Sequence, residues 1–98
     1  MPLEIITLRA ARNDLAEILA FSIETWGSAV AEAYVRGLGQ AIALLADYPD
    51  LGTRVTGIRP PMRVHVHRKH RIFYRHDTQA VTIVRVFHIA RDSLAVLI

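Results

Sequence analysis

The chemistry-bearing side chains of this 98-residue sequence crowd into its second half, where all five histidines (His65, His67, His70, His76 and His88) stand among nine of the twelve Lys and Arg residues. An imidazole moves protons near neutral pH, and guanidinium groups stabilise an anion that develops in a transition state. Arg63, Arg71, Arg85 and Arg91 beside His65 or His88 therefore supply the parts of a metal-free RNA-cleaving site. One group would take the proton of a 2′-hydroxyl, another would protonate the leaving oxygen, and cations would surround the phosphorane-like centre. No metal site is expected: the His65–His67 pair would need a third ligand from elsewhere, and without cysteine there are no thiolate ligands, disulfides or cysteine nucleophile. No cofactor is implied by any motif.

Formal net charge is +3, but residues 1–52 carry three arginines against seven acids, a net −4, while residues 53–98 carry nine basic residues against Asp77 and Asp92, a net +7. Such asymmetry points to an anionic partner for the second half, nucleic acid or an acidic protein segment, with a merely solvated basic face as the plain alternative. The length suits one domain, and 52% apolar residues suffice for a compact core. No apolar run approaches the roughly 20 residues that span a bilayer, and the stretch Met1 to Arg12 reads as neither a signal peptide nor a lipidation site. A soluble cytoplasmic domain with no membrane partner is expected.

The elements that would position these side chains follow from periodicity. Leu3 to Leu8 is a short β-branched apolar run, read as a strand, with Thr7 placed to cap the helix after it. From Arg9 to Trp26 the positions Ala11, Leu15, Ile18, Ser22 and Trp26 recur at helical steps, widened by Leu19 and Ile23. Gly27 ends this helix, Ser28 is placed to cap a second from Ala29 to about Tyr48, and Tyr34, Val35, Leu38, Ile42 and Leu45 form its buried stripe. Helical spacing makes Trp26 and Tyr34 core residues. So short a link folds the two helices into an antiparallel hairpin.

Pro49 to Pro61, with three prolines and two glycines, reads as a loop. Beyond it the period becomes two, giving three strands joined by turns near Arg68–His70 and Asp77–Gln79, hence antiparallel. Met62, Val64, Val66, Ile72, Tyr74, Val84 and Val86 are expected to pack on the hairpin. Arg63, His65, Arg71, Phe73, Arg75, Ile83, Arg85 and Phe87 are then expected together on the opposite face. Arginines interleaved with exposed phenylalanines would grip an amphipathic partner or stack on bases. His88 reads as a structural histidine bonded to loop backbone or to Asp92. Ser93 to Ile98 is apolar without a defining pattern.

The order strand, helical hairpin, Pro/Gly loop, three strands resembles the RelE/ParE superfamily of bacterial toxins. The likeness is carried by YPDLG at Tyr48–Gly52, HRIFYR at His70–Arg75 and IVRVFHIARD at Ile83–Asp92. Asp14–Leu15, Trp26–Gly27 and the Ala31–Tyr34 segment match the ParE branch. The resemblance implies an α+β fold of β-α-α-β-β-β order with a mainly antiparallel sheet. It also implies a chromosomal or plasmid-borne toxin that a cognate antitoxin neutralises by folding a disordered segment onto it. The ParE branch implies DNA gyrase as the target, poisoned without catalysis, and direct nucleic-acid binding is the less favoured mode. The RelE branch implies ribosome-dependent mRNA cleavage, for which Arg71, His88, Arg91 and Arg63 would be the catalytic set. RelE-type nucleases, however, use several lysines or paired histidine and acid with a late tyrosine, whereas Lys69 is the sole lysine and no tyrosine follows Tyr74. A degenerate toxin that retains only antitoxin binding is the third reading. Arg91 and Leu94–Ile98 are expected to touch the target.

Overall fold

In the computed structural model residues 2–91 are described, and the expectations placed on Asp92 and on Ser93–Ile98 lie outside them. The chain runs β1 (Glu4–Thr7), α1 (Arg9–Trp26), α2 (Ser28–Asp47), β2 (Thr53–Val55), β3 (Met62–His67), β4 (His70–His76) and β5 (Ala80–His88). The helices form the expected hairpin. Gly27, at φ 86°, is the entire link: its amide donates to the Ile23 carbonyl and its own carbonyl accepts from Ala31. Only glycine adopts that backbone readily. Neither expected cap forms. Leu8 precedes α1 without a side-chain cap, while Arg12 donates to the Thr7 carbonyl at 2.7 Å, and Ser28 is the first residue of α2 rather than its cap.

The sheet order is β1-β5-β4-β3-β2, with β1 parallel to β5 and every other pairing antiparallel. The segment read as a loop therefore contains a strand. Thr53 and Arg54 of β2 are exposed and only Val55 is half-buried, so three residues with no apolar alternation left no period to read.

Facing the hairpin, Ile72, Tyr74, Val81, Ile83 and Val86 join Ala11, Leu38, Ala41, Ile42 and Leu45 in the main core. On the other face a second cluster gathers Ile58, Met62, Phe73 and Phe87, with Val55, Val64 and Val84 packed against it. The expected division of faces is thus right for β4 and wrong for β3. A two-residue turn pairs His67 with His70 and so His65 with Ile72 and Arg63 with Tyr74. Directly paired residues share a face. That register turns Arg63 and His65 toward the hairpin side and Met62, Val64 and Val66 away from it.

On β5 a β-bulge opposite Phe73/Tyr74 makes the register jump from Tyr74↔Ile83 to Phe73↔Arg85. One extra residue exchanges the faces at that point. Ile83, expected on the open face, is accordingly buried with the helices at 0% exposure, whereas Val84 packs on the other side. Phe73 and Phe87 do lie away from the helices, but at 4% and 1% exposure they are core, covered by Ile58 and Met62, not a contact surface.

Candidate functional site

The loop Tyr48–Gly52 is clamped by groups expected elsewhere. Tyr74, fully buried, donates its hydroxyl proton to the Pro49 carbonyl at 2.7 Å and accepts from the Gly52 amide at 2.8 Å. Burial pushes its phenol pKa up. Arg63 donates to the Gly52 carbonyl at 2.7 Å and pairs with Asp50 at 3.3 Å, and His76 Nε2 meets the same Asp50 oxygen at 2.9 Å. Arg63 is a brace for this loop. It stands three strand positions from Arg71 and four from the level of His88, since it pairs with Tyr74 while His70 pairs with His88.

At the other end of the sheet β1 stops at Thr7, paired with Ile83, so among the described residues no strand pairs with the later part of β5 on the edge away from β4. Asp14 of α1 fills the gap. Its Oδ2 accepts from the Val86 amide at 2.9 Å and from Arg85 Nε at 2.8 Å, while Oδ1 accepts from Arg85 Nη2 at 2.8 Å. The hydrogen bond to Asp14 raises the Arg85 pKa. Arg85 and Arg91 also stand over the Phe87 ring, 4.5 and 4.4 Å from its centroid.

Between α1 and this end of the sheet opens a groove of about 940 Å³. One side is apolar: Ile18, Phe21 and Trp26 of α1 and Val30 of α2 line it, with the Phe21 and Trp26 rings edge to face at 6.3 Å. Phe21, Trp26 and Val30 are 62%, 58% and 55% exposed. Trp26 is therefore not the core residue that helical spacing implied, because it sits on the last turn of α1, beyond the reach of the sheet. Tyr34 is half-buried at the back of the groove, and Arg68, Lys69, His70, His88 and Arg91 form the facing wall.

Tyr34 Oη lies 2.6 Å from His70 Nδ1. Burial raises the Tyr34 pKa and lowers that of His70, which the neighbouring His88 and His67 lower further. His67, under Gly37, is likewise lowered by burial and then by Arg68. The pair is thus a neutral imidazole against a protonated phenol. His88 is exposed, and its Nδ1 accepts from the Ala90 amide at 3.0 Å, the backbone bond expected of a structural histidine.

Of the residues expected to bind a partner, the structure leaves Arg71 and Arg75 half-buried on the face away from the helices, where Arg71 donates to the Ile89 carbonyl at 2.7 Å. Arg85 is engaged by Asp14, Arg63 by the loop, and His65 is half-buried beside Ile72. Arg71, His88 and Arg91 stand at one end of the sheet without Arg63, but His88 and Arg91 line the groove while Arg71 lies on the face away from the helices. Among the described residues no group of three His, Asp or Glu is placed to hold a metal, and no helix is long and apolar enough to cross a membrane. Phe21, Trp26, Val30 and the Arg68–Lys69 turn line this candidate site without having been singled out from the sequence. The signal for Phe21 was available: a large aromatic lying off the buried stripe of its helix.

Comparison with known proteins agrees with this architecture. The family described as ParE toxin of type II toxin-antitoxin system, parDE, matches residues 5–93. Toxin ParE1 of Caulobacter vibrioides is 33% identical over 87 residues, 89% of this chain and 90% of its own length. Toxin ParE1 of Mycobacterium tuberculosis is 36% identical over 84 residues, 85% and 86% of the two chains. Among solved structures, a chain of the chromosomal ParDE system from P. aeruginosa superposes with a TM-score of 0.77 at 18% identity, covering 89% of this chain and 96% of that one. A chain of the toxin-antitoxin complex RelBE2 from Mycobacterium tuberculosis gives 0.62 at 22% identity, covering 90% and 99%. At those identities the structural likeness speaks for the fold.

Proposed function

The chain belongs to the ParE toxin family of type II toxin–antitoxin systems, and on that premise we propose that it poisons DNA gyrase without catalysis of its own and is neutralised when a cognate antitoxin folds a segment into the groove beside α1. The observation that carries the antitoxin reading is the exposure of Phe21, Trp26 and Val30 along that groove. A contiguous apolar surface of large side chains marks a docking site rather than a solvated face, and an amphipathic segment laid into a groove is a standard way to cover one. This moves the expected partner surface from the open face of the sheet to the helix side. Gyrase as the target rests on the ParE-like motifs of the sequence. A non-catalytic mode is supported by the state of the candidate catalytic groups: His88 Nδ1 is already bonded to backbone, and Arg63 braces a loop at the far end.

Purified toxin at excess is expected to block supercoiling by gyrase in vitro, and the antitoxin is expected to relieve the block. Normal supercoiling together with mRNA cleavage in a translation extract would transfer the assignment to a ribosome-dependent nuclease built on Arg71, His88 and Arg91. Unimpaired growth on expression without antitoxin would leave only antitoxin binding.

A further inference from the structure

The groove wall opposite Phe21 and Trp26 has a different chemistry from the apolar side. The strand register sets two imidazoles there, because His70 pairs with His88, and holds His67, which pairs with His70, next to them against Gly37. The His70 and His88 rings meet edge to face at 5.5 Å, and the Arg68–Lys69 turn, with Arg68 at φ 53°, sets two cations beside them. The groups facing this cluster are few. From α2 come Tyr34 and, beside His67, Arg36; from β3 comes His65; and after β5 comes Arg91. Across the groove α1 presents Asp14, which is committed to Arg85, and Glu17. Among the described residues no ion pair involves Arg68 or Lys69, and no carboxylate is among the groups that perturb His67 or His70.

A wall of this kind carries charge in reserve. Two cations are permanent, and an anion within about 4–6 Å raises the proton affinity of an imidazole such as His70. We propose that this wall receives acidic side chains of the antitoxin segment that fills the groove, so that antitoxin binding takes up protons. The inference rests on the groove being the antitoxin site. By linkage, a ligand that raises the proton affinity of the histidines is itself bound more tightly as pH falls. In the free toxin burial, and after it the neighbouring positive charges, lowers the proton affinity of His67 and His70, which leaves room for the uptake.

The test is calorimetric titration of the full-length toxin with its cognate antitoxin at about pH 8 and about pH 6, each in two buffers of different ionisation heat, across the range in which histidine changes charge. The expected result is an affinity at least about fivefold tighter at the lower pH and an uptake of roughly half a proton or more, read from the buffer dependence of the heat. An antitoxin with its C-terminal Asp and Glu changed to Asn and Gln is expected to lose both effects, and His70→Gln to reduce the uptake. The uptake is read on the unmodified toxin, so it does not depend on a variant folding. An affinity that is flat or weakens as pH falls, with Trp26→Ala still weakening binding, overturns the inference and leaves the groove reading standing. An affinity indifferent to Trp26→Ala overturns both.

Discussion

Asp14 and Arg85, 71 positions apart, meet through two hydrogen bonds of 2.8 Å, and the same carboxylate receives the Val86 amide. The arrangement lets a helix finish the edge of a sheet. β1 is too short to cover β5, and a buried amide without a partner would cost about 1–3 kcal/mol. Asp14 closes that edge and anchors α1 over the groove in one step, and Arg85 balances the charge that this burial brings in.

Asp14→Ala is expected to destabilise the domain by roughly 2–4 kcal/mol in urea unfolding, since it leaves both a guanidinium and an amide without their acceptor. Arg85→Lys keeps the charge but loses the two-pronged geometry, with an expected loss of about 1–2 kcal/mol. A loss of less than about 0.5 kcal/mol for Asp14→Ala would mean that water serves the β5 edge as well as the carboxylate does.

Gly52 is needed for contact. A Cβ there would fall 2.7 Å from the Tyr74 ring and hydroxyl and 2.8 Å from the Val64 carbonyl oxygen. Gly52→Ala is expected to lower stability by about 2–3 kcal/mol by forcing Tyr74 out of its clamp. Tyr74→Phe, which removes only the hydroxyl, is expected to cost about 1–2 kcal/mol. The two effects should fall well short of adding, because both act on the same clamp, and a double variant measured by denaturation checks this.

Trp26→Ala and Phe21→Ala remove side chains more than half exposed. Each is expected to change stability by less than about 1 kcal/mol while weakening antitoxin binding by about 2–4 kcal/mol, the pattern of an aromatic anchor in an interface. By contrast, Arg63→Glu is expected to lose its effect on the partner once corrected for the folding it damages, since Arg63 holds the loop at Asp50 and Gly52. Thermal unfolding run beside the binding titration separates the two.

The pH profile of the free domain is set by the direction of each shift. His67 and His70 have lowered proton affinity, so the unfolded chain binds protons first. Their contribution is fully present above the unfolded value of about 6.5 and is lost as pH falls below it. Tyr34 and Tyr74 are raised, so theirs is present below about pH 10 and is lost as pH rises beyond. Melting temperature is therefore expected to form a plateau between those limits. A melting temperature that climbs between about pH 6.5 and pH 5 would contradict the histidine assignment. The free toxin should thus lose stability on acidification over the same range in which its complex tightens.

The sequence by itself determined the family, the element order except for β2, both helices to within a residue or two, and the strand identities of β3, β4 and β5. These are written in local periodicity and in short motifs whose spacing survives without coordinates. YPDLG, for example, fixes a glycine that turns out to be pressed against Tyr74. The tertiary structure alone decided which side chains face a partner. A two-residue turn sets β3 against β4 with opposite parity, and one bulge on β5 reverses the parity again, so Arg63 and Ile83 moved to the helix side. Parity in a sheet is a property of pairing, and pairing between strands is not encoded in either strand's own alternation. For the same reason Trp26 looked like core: its helical phase is right for burial, but whether a sheet reaches the last turn of α1 depends on where β5 and the Arg68–Lys69 turn end in space.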